Sequence, residues 1–423
     1  MTSEIVRNTN TLNDVPSGER VHIGFFGIRN AGKSSVVNAV TNQELALVSD
    51  VRGTTTDPVL KAMELLPIGP VVIIDTPGID DEGELGQMRV ERTRQVLRQT
   101  DVAVLVADGT LGLQPADREL LALFEERHIP YIVAFNKNDL LSPDADAVSS
   151  ASRTLPETAR SLKVSAKTGE GILALKELLG ELAGQKKEKF ILKDLVAPGD
   201  FVVLVIPIDA SAPKGRIILP QQQVLRELLD LRCNAVCVQA SDLKDTLDRL
   251  CGSPATKPAL VVTDSQAFKS VMKDTPEDIP VTSFSILFAR YKGDLEQQVL
   301  GAAAIQALKP GDRVLISEGC THHRQCQDIG TVKLPGWLEH YTGFPPEVDF
   351  TQGGQFPEDL TPYTLIIHCG GCMLNEAEMK ARLRIAREAG VPMTNYGVAL
   401  AAFNGTLSRA LRPFPAYATL LNT

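Results

Sequence analysis

Short apolar runs alternate with amphipathic stretches along most of the chain. In the N-terminal part, the strand-like runs RVHIGFFGI, PVVIID, VAVLVAD and YIVAFNK are separated by stretches with a helical spacing of apolar residues. Apolar strands that alternate with helices are typical of a parallel sheet that is covered on both faces. A last helical run, GILALKELLGELAG, ends at Gly184, and the charged segment QKKEK after it has the composition of a linker. We therefore predict a first α/β domain over residues 1–185.

The same alternation continues in the rest of the chain. Strand-like FVVLVIPI, NAVCVQ and ALVVTD alternate with helix-like QQQVLRELLDL and DLKDTLDRLC, which predicts a small α/β domain over residues 190–280. Residues 281–423 combine the long helical run ILFARYKGDLEQQVLGAAAIQAL with strand-like GDRVLISEG and YTLIIHCGG and helix-like NEAEMKARLRIAREAG. The pattern predicts an α/β chain in which one larger domain is followed by two smaller ones.

Composition and charge narrow the class of protein. The net charge of −9 argues against a nucleic-acid-binding body, which normally presents a basic face. We find neither an apolar N-terminal leader nor a run of 18 apolar residues, so we expect a cytoplasmic protein. Seven cysteines make a disulfide framework improbable in that compartment. Three of them, Cys233, Cys237 and Cys251, have apolar neighbours and are expected in the core.

The first strand-like run is followed by GIRNAGKSS, which fits the pattern G-x-x-x-x-G-K-[ST]. Between a strand and a helix, such a loop directs backbone N–H groups at phosphate oxygens. Lys33 then neutralises the charge of the β- and γ-phosphates, and the Ser34 hydroxyl ligates Mg²⁺. The residues predicted to bind the phosphates are Gly27, Asn30, Ala31, Gly32, Lys33, Ser34 and Ser35.

Three further motifs follow in the order expected of a GTPase. IIDTPG places Asp75 at a strand end, where it can hold Mg²⁺ through water, and Gly78 where its N–H can meet the γ-phosphate. In NKND, the Asp139 carboxylate can accept both N–H groups of the guanine base edge, a donor pair that adenine lacks. The SAK motif adds a backbone N–H toward the guanine oxygen. The residues that NKND and SAK assign to the base are Asn136, Lys137, Asp139, Ser165, Ala166 and Lys167.

With these motifs the sequence resembles the small translation-factor-like GTPases with a GTTTD switch loop, which include tRNA-modification and ribosome-assembly GTPases. The resemblance implies that Thr55 closes on Mg²⁺ and the γ-phosphate, and that Lys33, Thr55 and Gly78 are catalytic. Ile79 stands where Ras-like proteins carry the glutamine that orients water, so we expect slow hydrolysis. Potassium-activated relatives have an asparagine at the position of Asn30 that helps to bind K⁺, and we expect K⁺ to activate hydrolysis.

Cysteine and histidine residues form a second group of candidate ligands near the C-terminus. EGCTHHRQC and HCGGC provide Cys320, His322, His323, Cys326, His368, Cys369 and Cys372. A redox dithiol, a structural zinc site of the Cys₃His type and a 4Fe-4S cluster on three cysteines are each compatible with these residues. Two glycines between the last two cysteines let the backbone approach an inorganic sulfide, and three cysteines leave one iron with a replaceable ligand, which favours the cluster. Cys326 is expected to be an ordinary loop thiol.

A GTPase domain followed by two α/β segments, with CTH and a distant HCGGC in the last of them, resembles the HydF family of FeFe-hydrogenase maturation GTPases. The resemblance also includes the stretch PIDASAPKGRIILPQQQ and spans nearly the whole chain. It implies a P-loop GTPase domain (1–185), a dimerisation domain (190–280) and an iron–sulfur cluster domain (281–423), all of α/β class.

The family resemblance further implies that Cys320, Cys369 and Cys372 ligate a 4Fe-4S cluster, with His322 and His368 as candidates for the exchangeable fourth position. His323 makes that assignment ambiguous. It also implies a homodimer that receives a di-iron precursor made with the radical-SAM maturases HydE and HydG, and delivers it to apo-hydrogenase. The alternative is a zinc-bearing GTPase that acts in tRNA modification or ribosome assembly.

Overall fold

The computed structural model of the protein describes residues 17–43, 59–76, 84–141, 155–156, 159–184, 189–208, 217–319 and 329–422. The side chains of residue 59, of residues 84–91 and of residue 422 lie outside this description. The chain divides into two compact units, Met1–Lys187 and Glu188–Thr423. Among the helices that the structure describes, none combines the length and the apolar character needed to cross a membrane.

The described residues of the first unit form a six-stranded sheet with the order β2-β3-β1-β4-β5-β6, in which β2 alone runs antiparallel to its neighbour. The strands are β1 (Val21–Phe26), β2 (Val59–Leu65), β3 (Gly69–Asp75), β4 (Val102–Asp108), β5 (Tyr131–Asn136) and β6 (Arg160–Lys163). The helices are α1 (Lys33–Thr41), α2 (Glu84–Gln99), α3 (Pro115–Glu126) and α4 (Ile172–Gly184).

The two faces of this sheet are both covered. Every residue of β4 and β5 is buried, which explains why these strands read as unbroken apolar runs instead of alternating ones. One apolar cluster on the sheet includes Val36 and Leu175 of α1 and α4, and another includes Phe124 of α3. The sheet therefore presents the carboxyl ends of its parallel strands as the exposed edge at which loops can bind a ligand.

The described residues of the second unit form two four-stranded parallel sheets, with the orders β10-β9-β7-β8 and β12-β11-β13-β14. The strands are β7 (Phe201–Val205), β8 (Asn234–Val238), β9 (Pro258–Thr263), β10 (Val281–Ser283), β11 (Arg313–Glu318), β12 (Glu347–Gln352), β13 (Leu365–His368) and β14 (Met393–Asn395). The helices are α5 (Leu219–Asp230), α6 (Leu243–Leu250), α7 (Phe268–Asp274), α8 (Phe284–Lys292), α9 (Leu295–Ala303), α10 (Leu334–Thr342), α11 (Glu376–Glu388), α12 (Tyr396–Phe403), α13 (Leu407–Ala410) and α14 (Pro415–Ala418).

These two sheets share one apolar core. A single cluster of buried side chains runs from Ile191 to Phe414 and includes Val203 of the first sheet and Ile316 of the second. The guanidinium of Arg409 in α13 adds a polar connection, since it donates hydrogen bonds to backbone carbonyls at the end of α7 and just after it. The predicted separation of residues 190–280 from residues 281–423 remains a prediction.

Two expectations from the sequence were wrong. The helical run at 286–308 is broken at Gly293, where α8 ends, and α9 begins after Asp294, whose carboxylate accepts the N–H of Gln297 as an N-cap. Of the three cysteines expected in the core, Cys233 is buried, whereas Cys237 and Cys251 are exposed. Cys237 lies on β8, an edge strand of its sheet, and edge strands bury less of their surface.

The chain enters the second unit through residues 189–194, which we call the entry segment. The Glu227 carboxylate accepts the backbone N–H groups of residues 191, 192 and 193 at 2.7 to 3.1 Å. Arg290 donates to the carboxylate of Asp194 and to the carbonyl of Ile191. Lys189 forms an ion pair of 2.7 Å with Glu376. The entry segment is thereby fixed to α5, α8 and α11.

Candidate functional site

The loop between β1 and α1 has the geometry of a phosphate-binding loop. Gly27 and Gly32 have φ angles of 152° and 86°, which disfavour any residue with a Cβ atom. A Cβ atom is also excluded sterically at both positions. A Cβ on Gly27 would lie 2.3 Å from the carbonyl oxygen of Val106, and a Cβ on Gly32 would lie 2.2 Å from Nδ2 of Asn136. The backbone is therefore drawn tightly around the start of α1, which begins at Lys33.

Lys33 and Ser34 meet Asp75 at the carboxyl ends of the adjacent strands β1 and β3. The Ser34 hydroxyl donates to Oδ2 of Asp75 over 3.2 Å, and Nζ of Lys33 lies 3.6 Å from Oδ1. Oδ1 is buried and has no hydrogen bond within the described residues. Burial raises the pKa of Asp75, although Lys33 and Ser34 oppose the shift. A hydroxyl beside a buried carboxylate oxygen that lacks a hydrogen bond fits Mg²⁺, which prefers oxygen ligands.

Asn136, the last residue of β5, joins the phosphate loop to the predicted base-binding loop. Its Nδ2 donates to the carbonyl of Ala31 over 3.0 Å, and its Oδ1 accepts the N–H of Ala166 over 3.0 Å. Both bonds are made by one buried side chain. Asn136 therefore fixes the distance between the part of the site that meets phosphates and the part that meets the base.

The other base-site residues are held by charged and polar neighbours. The Ser165 hydroxyl donates to Oδ1 of Asp139 over 2.7 Å, which brings NKND and SAK together. Nζ of Lys137 lies 2.5 Å from Oδ2 of Asp108 at the end of β4. Although burial acts to raise it, the pKa of Asp108 is lowered by hydrogen bonds from Lys137 and Thr110. The Asp108 carboxylate thus stays ionised and orients the lysine.

The described part of the predicted nucleotide site is therefore gathered at one edge of the sheet. Thr55 and Gly78 lie outside the described residues, as does Ile79. Ser35 is half-buried in the first turn of α1, Asn30 is exposed with a φ of 63°, and Lys167 is exposed beside Ala166.

Asp117 is a residue that the sequence analysis missed. Its buried carboxylate accepts the N–H of Gln114 over 3.0 Å at the start of α3. Burial raises the pKa of Asp117 to about 6, and the backbone N–H groups of Gln114 and Ile28 oppose the shift. Ile28 belongs to the phosphate loop, so the buried Asp117 carboxyl lies between the start of α3 and that loop. The capping pattern QPAD, with its proline at the first helical position, was the signal in the sequence.

The second candidate site lies where strand connections diverge in the sheet β12-β11-β13-β14. From β11 the chain passes to β12 on one side, whereas from β13 it passes to β14 on the other. Loops at the carboxyl ends of two such strands border a crevice, which is the usual ligand site of open α/β sheets. Cys369 follows β13 directly, and Gly319 follows β11 and precedes Cys320.

The two loops are joined through Cys369. Its Sγ accepts the N–H of Gly319 over 3.0 Å and the N–H of Gly371 over 3.4 Å. Its own N–H donates to the carbonyl of Ser317 over 2.8 Å. Gly371 has a φ of 63°, and a Cβ there would lie 2.6 Å from Sδ of Met379. A sulfur that accepts two backbone N–H groups is in an environment that stabilises a thiolate.

Cys372 completes the turn and is half-buried, as is Cys369. Burial raises the pKa of the Cys372 thiol, and the positive charge of Lys292 opposes that shift. Nζ of Lys292 donates to the carbonyls of Cys372 and Leu374, at 3.3 Å in each case. Helix α11 then begins behind Asn375, whose side chain accepts the N–H of Glu378. The cysteine pair therefore lies in a tight turn between a buried strand and a capped helix.

His368 is fully buried and both of its ring nitrogens have protein partners. Nε2 lies 2.9 Å from Nη1 of Arg382, and Nδ1 lies 2.7 Å from the carbonyl oxygen of Cys369. Because arginine can only donate, Nε2 is the acceptor and Nδ1 carries the proton. Burial and then the charge of Arg382 lower the pKa of His368 to about 3. Both ring nitrogens of His368 are therefore engaged with protein atoms in this structure.

The rest of the predicted ligand set, Cys320, His322, His323 and Cys326, lies outside the described residues. Within the described part of the chain, no three histidine, cysteine, aspartate or glutamate side chains are grouped so that they could hold a metal ion. The structure thus brings Cys369 and Cys372 together, next to the backbone that leads to Cys320.

Three family profiles match the chain. Residues 22–137 match a profile described as 50S ribosome-binding GTPase. Residues 191–293 match one described as Hydrogen maturase F dimerization domain, and residues 296–413 match one described as Hydrogen maturase F tetramerization domain. The two maturase profiles together cover more than half of the chain and include the cysteine turn.

Among curated relatives, the tRNA modification GTPase MnmE of Desulfotalea psychrophila is 36% identical over 155 residues, which are 36% of this chain and 32% of that protein. The MnmE of Nitrosospira multiformis is 36% identical over 168 residues, 39% of this chain and 36% of its own. The chain therefore spans about a third of the length of these relatives. A solved probable GTP-binding protein engB is 25% identical, with a TM-score of 0.33 over 39% of this chain and 100% of its own.

Proposed function

The chain belongs to the hydrogen maturase F family and carries a GTPase domain, and on this premise we propose that it acts as a scaffold and carrier in FeFe-hydrogenase maturation. In this proposal Cys320, Cys369 and Cys372 hold a 4Fe-4S cluster. The protein receives a di-iron precursor as its cargo and transfers it to apo-hydrogenase. GTP turnover regulates the contacts with partner proteins.

The observation that carries the proposal is the hydrogen bond from the Gly319 amide to Sγ of Cys369. Cys320 is bonded to Gly319 in the sequence, so the third cysteine directly follows a residue whose backbone contacts Cys369. Thiolate sulfurs that accept backbone N–H bonds in a half-buried turn are suited to iron–sulfur ligation. When bound, the cluster would supply an iron with an exchangeable ligand to which cargo can attach.

The fourth ligand is assigned differently from the expectation based on sequence. Both ring nitrogens of His368 have hydrogen-bond partners in the protein. We propose that His368 supports the cysteine turn through its bond to the carbonyl of Cys369. The exchangeable position then remains with His322, with its neighbour His323 or with water.

The nucleotide site supports hydrolysis in the first unit. We propose that Lys33 neutralises the β- and γ-phosphates and that Ser34 and Asp75 hold Mg²⁺, which is supported by the contacts of Lys33 and Ser34 with Asp75. We propose that Thr55 and Gly78 complete the γ-phosphate contacts. We further propose that Asn30, exposed on the phosphate loop, binds an activating K⁺, which fits the absence of a water-orienting side chain at Ile79.

Partner contacts follow from the same proposal. The two maturase profiles are named for dimerisation and tetramerisation, and the chain carries domains for homo-oligomerisation. The maturases HydE and HydG would supply the di-iron precursor, and apo-hydrogenase would accept it.

Anaerobic purification followed by iron, sulfide and zinc analysis tests the proposal. We expect about four iron and four sulfide per chain, and loss of both in Cys369→Ser with GTP hydrolysis retained, because the nucleotide site lies in the other unit. Cys237→Ser, an exposed cysteine on β8, is the matched control and should keep the cluster. Stoichiometric zinc without sulfide would instead support the zinc-bearing GTPase of tRNA modification or ribosome assembly.

A further inference from the structure

Two cationic side chains are buried beneath the cysteine turn. The side chain of Arg382 has no exposed surface, and Lys292 is 3% exposed. Removing a charge from water is costly unless the charge is paired and hydrogen-bonded. Neither residue belongs to the predicted ligand set, so their burial at this place requires its own explanation.

Arg382 connects the carboxyl ends of three neighbouring strands. Its Nε donates to Glu378 over 2.8 Å within α11, its Nη2 donates to the carbonyl of Gly353 after β12 over 2.6 Å, and its Nη1 donates to His368 at the end of β13. Nη1 also lies 3.5 Å from Oγ of Ser317 on β11. One planar guanidinium therefore fixes the edge of the sheet from which both cysteine loops leave.

The effect of Arg382 reaches the cysteines through His368. By donating to Nε2, the guanidinium holds the proton of His368 on Nδ1, where it donates to the carbonyl of Cys369. That bond fixes the peptide plane between Cys369 and the first glycine of the turn. Arg382 thus orients the backbone of Cys369 without touching its sulfur.

Lys292 holds the other end of the turn. Its ammonium donates to the carbonyls of Cys372 and Leu374, on either side of Met373. Lys292 is the last residue of α8 and lies in the region that matches the dimerisation profile, whereas the cysteines lie in the region that matches the tetramerisation profile. The anchor for Cys372 is therefore supplied from the adjoining part of the unit.

We propose that Arg382, acting through His368, and Lys292 are positioning residues that hold Cys369 and Cys372 in the geometry of cluster ligands, and that the Lys292 charge stabilises the anionic cluster. This inference rests on the proposed function. Removing the Lys292 charge should make the bound cluster harder to reduce, because reduction adds a negative charge next to it.

Lys292→Met is the first test, with Lys380→Met on the exposed side of α11 as the matched control. After anaerobic reconstitution, we expect Lys292→Met to show a more negative reduction potential and about tenfold faster loss of iron to a chelator, the range typical of residues that support metal ligands. Lys292→Arg should restore the potential because it keeps the charge. A loaded Lys292→Met variant with unchanged potential and iron loss would overturn the proposal for Lys292.

Arg382 is tested by removing the buried ion pair as a whole, since Arg382→Met alone would leave the Glu378 charge buried beside an apolar side chain. The double variant Arg382→Met/Glu378→Leu should fold but lose iron about tenfold faster than the wild type. Arg387→Met, an exposed arginine on the same helix, is the control. Iron retention equal to that of the control, in a double variant that folds, would overturn the role given to Arg382.

A measurement on the protein without metal separates this inference from the proposed function. Amide hydrogen exchange across the turn of residues 369–374, followed by mass spectrometry, should be faster in Lys292→Met and in the double variant, because each loses a contact that holds a carbonyl of the turn. If the wild type binds no iron and sulfide, the proposed function fails while these rates still decide the positioning roles. Rates equal to those of the two control variants would overturn them.

Discussion

The side-chain amide of Asn136 donates to the carbonyl of Ala31 over 3.0 Å, so a residue of the base-binding motif holds the phosphate loop directly. The same amide group accepts the N–H of Ala166. Binding of the base and binding of the phosphates therefore depend on one buried side chain, and this dependence can be measured.

Asn136→Ala should weaken nucleotide binding without changing the preference for the base. Two buried hydrogen bonds are lost, which corresponds to about 2–3 kcal/mol, or about 30- to 150-fold in Kd. Titration with GTP and with inosine triphosphate, which lacks the 2-amino group, should show the same proportional loss for both. A larger loss for one of them would show that Asn136 reads the base instead of joining the loops.

Asp139→Asn should change the preference itself. In the predicted site the Asp139 carboxylate accepts the N–H groups of guanine, and an amide at that position would offer a donor in their direction, so GTP affinity should fall by about a hundredfold or more. Xanthosine triphosphate, which has an oxygen in place of the 2-amino group, should bind the variant better than GTP does. Competition binding with the two nucleotides is the measurement, and a retained preference for GTP would contradict the assignment.

Asn30→Gly should remove the activation by K⁺. Asn30 has a φ of 63°, a conformation that glycine adopts freely, so the substitution deletes the carboxamide without straining the loop. We expect the wild type to hydrolyse GTP about tenfold faster or more in K⁺ than in Na⁺, since the proposed K⁺ would supply the positive charge that an arginine finger supplies, and the variant to show equal rates. Asn42→Gly, with a φ of 55° at the end of α1, is the control and should keep the difference.

Asp117→Asn should alter how stability depends on pH. The pKa of Asp117 is about 6 in the folded protein and 3.8 as a free group, so its protonated form is favoured by folding. Its stabilising contribution is complete below pH 3.8 and is lost as the pH rises through 6. The unfolding free energy of the wild type relative to the variant should fall by about 2–3 kcal/mol between pH 4 and pH 7. Urea unfolding at both values measures it, and a difference that does not change with pH would refute the role of burial.

Arg409→Met should destabilise the second unit by about 2–4 kcal/mol, because the guanidinium donates to three backbone carbonyls next to α7. Arg412→Met is the control, since Arg412 is largely exposed and pairs with Glu277 at the surface, where an ion pair contributes about 1 kcal/mol or less. Because the two sheets share one core, we expect both to unfold in a single transition in urea. Separate transitions would show that the core joins them only weakly.

Much of the fold was predictable because local signals and tertiary structure agree. The fold class is confirmed, and strands such as β4 and helices such as α4 were identified from their apolar pattern. Strand β2 was missed, since Val59–Leu65 alternates too little to be recognised and is defined by its pairing with β3. Glu378 and Arg382 are spaced like a surface ion pair, and only the packing of α11 on the sheet shows that they are buried.

The candidate sites also contain features that could be predicted from the sequence and features that could not. The phosphate and base motifs could be assigned from the sequence because their chemistry depends on short, fixed spacings. The roles of Lys292 and His368 could not be assigned from the sequence, because each depends on a contact with a residue that is distant in the sequence and close only in the folded structure. His368 stands beside two cysteines in the sequence, which made it a candidate ligand, and the sequence does not show that Arg382 lies against its ring.

The entry segment changes where the second unit begins. A truncation that starts at Leu195 would remove the N–H donors that satisfy Glu227 and the partners of Arg290, and would open the core where Ile191 and Leu192 are buried. A truncation that starts before Lys189 keeps all of these. The limit of independent folding therefore lies within the entry segment, and an excised second unit needs Lys189, the last residue that the sequence presents as linker, to keep its ion pair with α11.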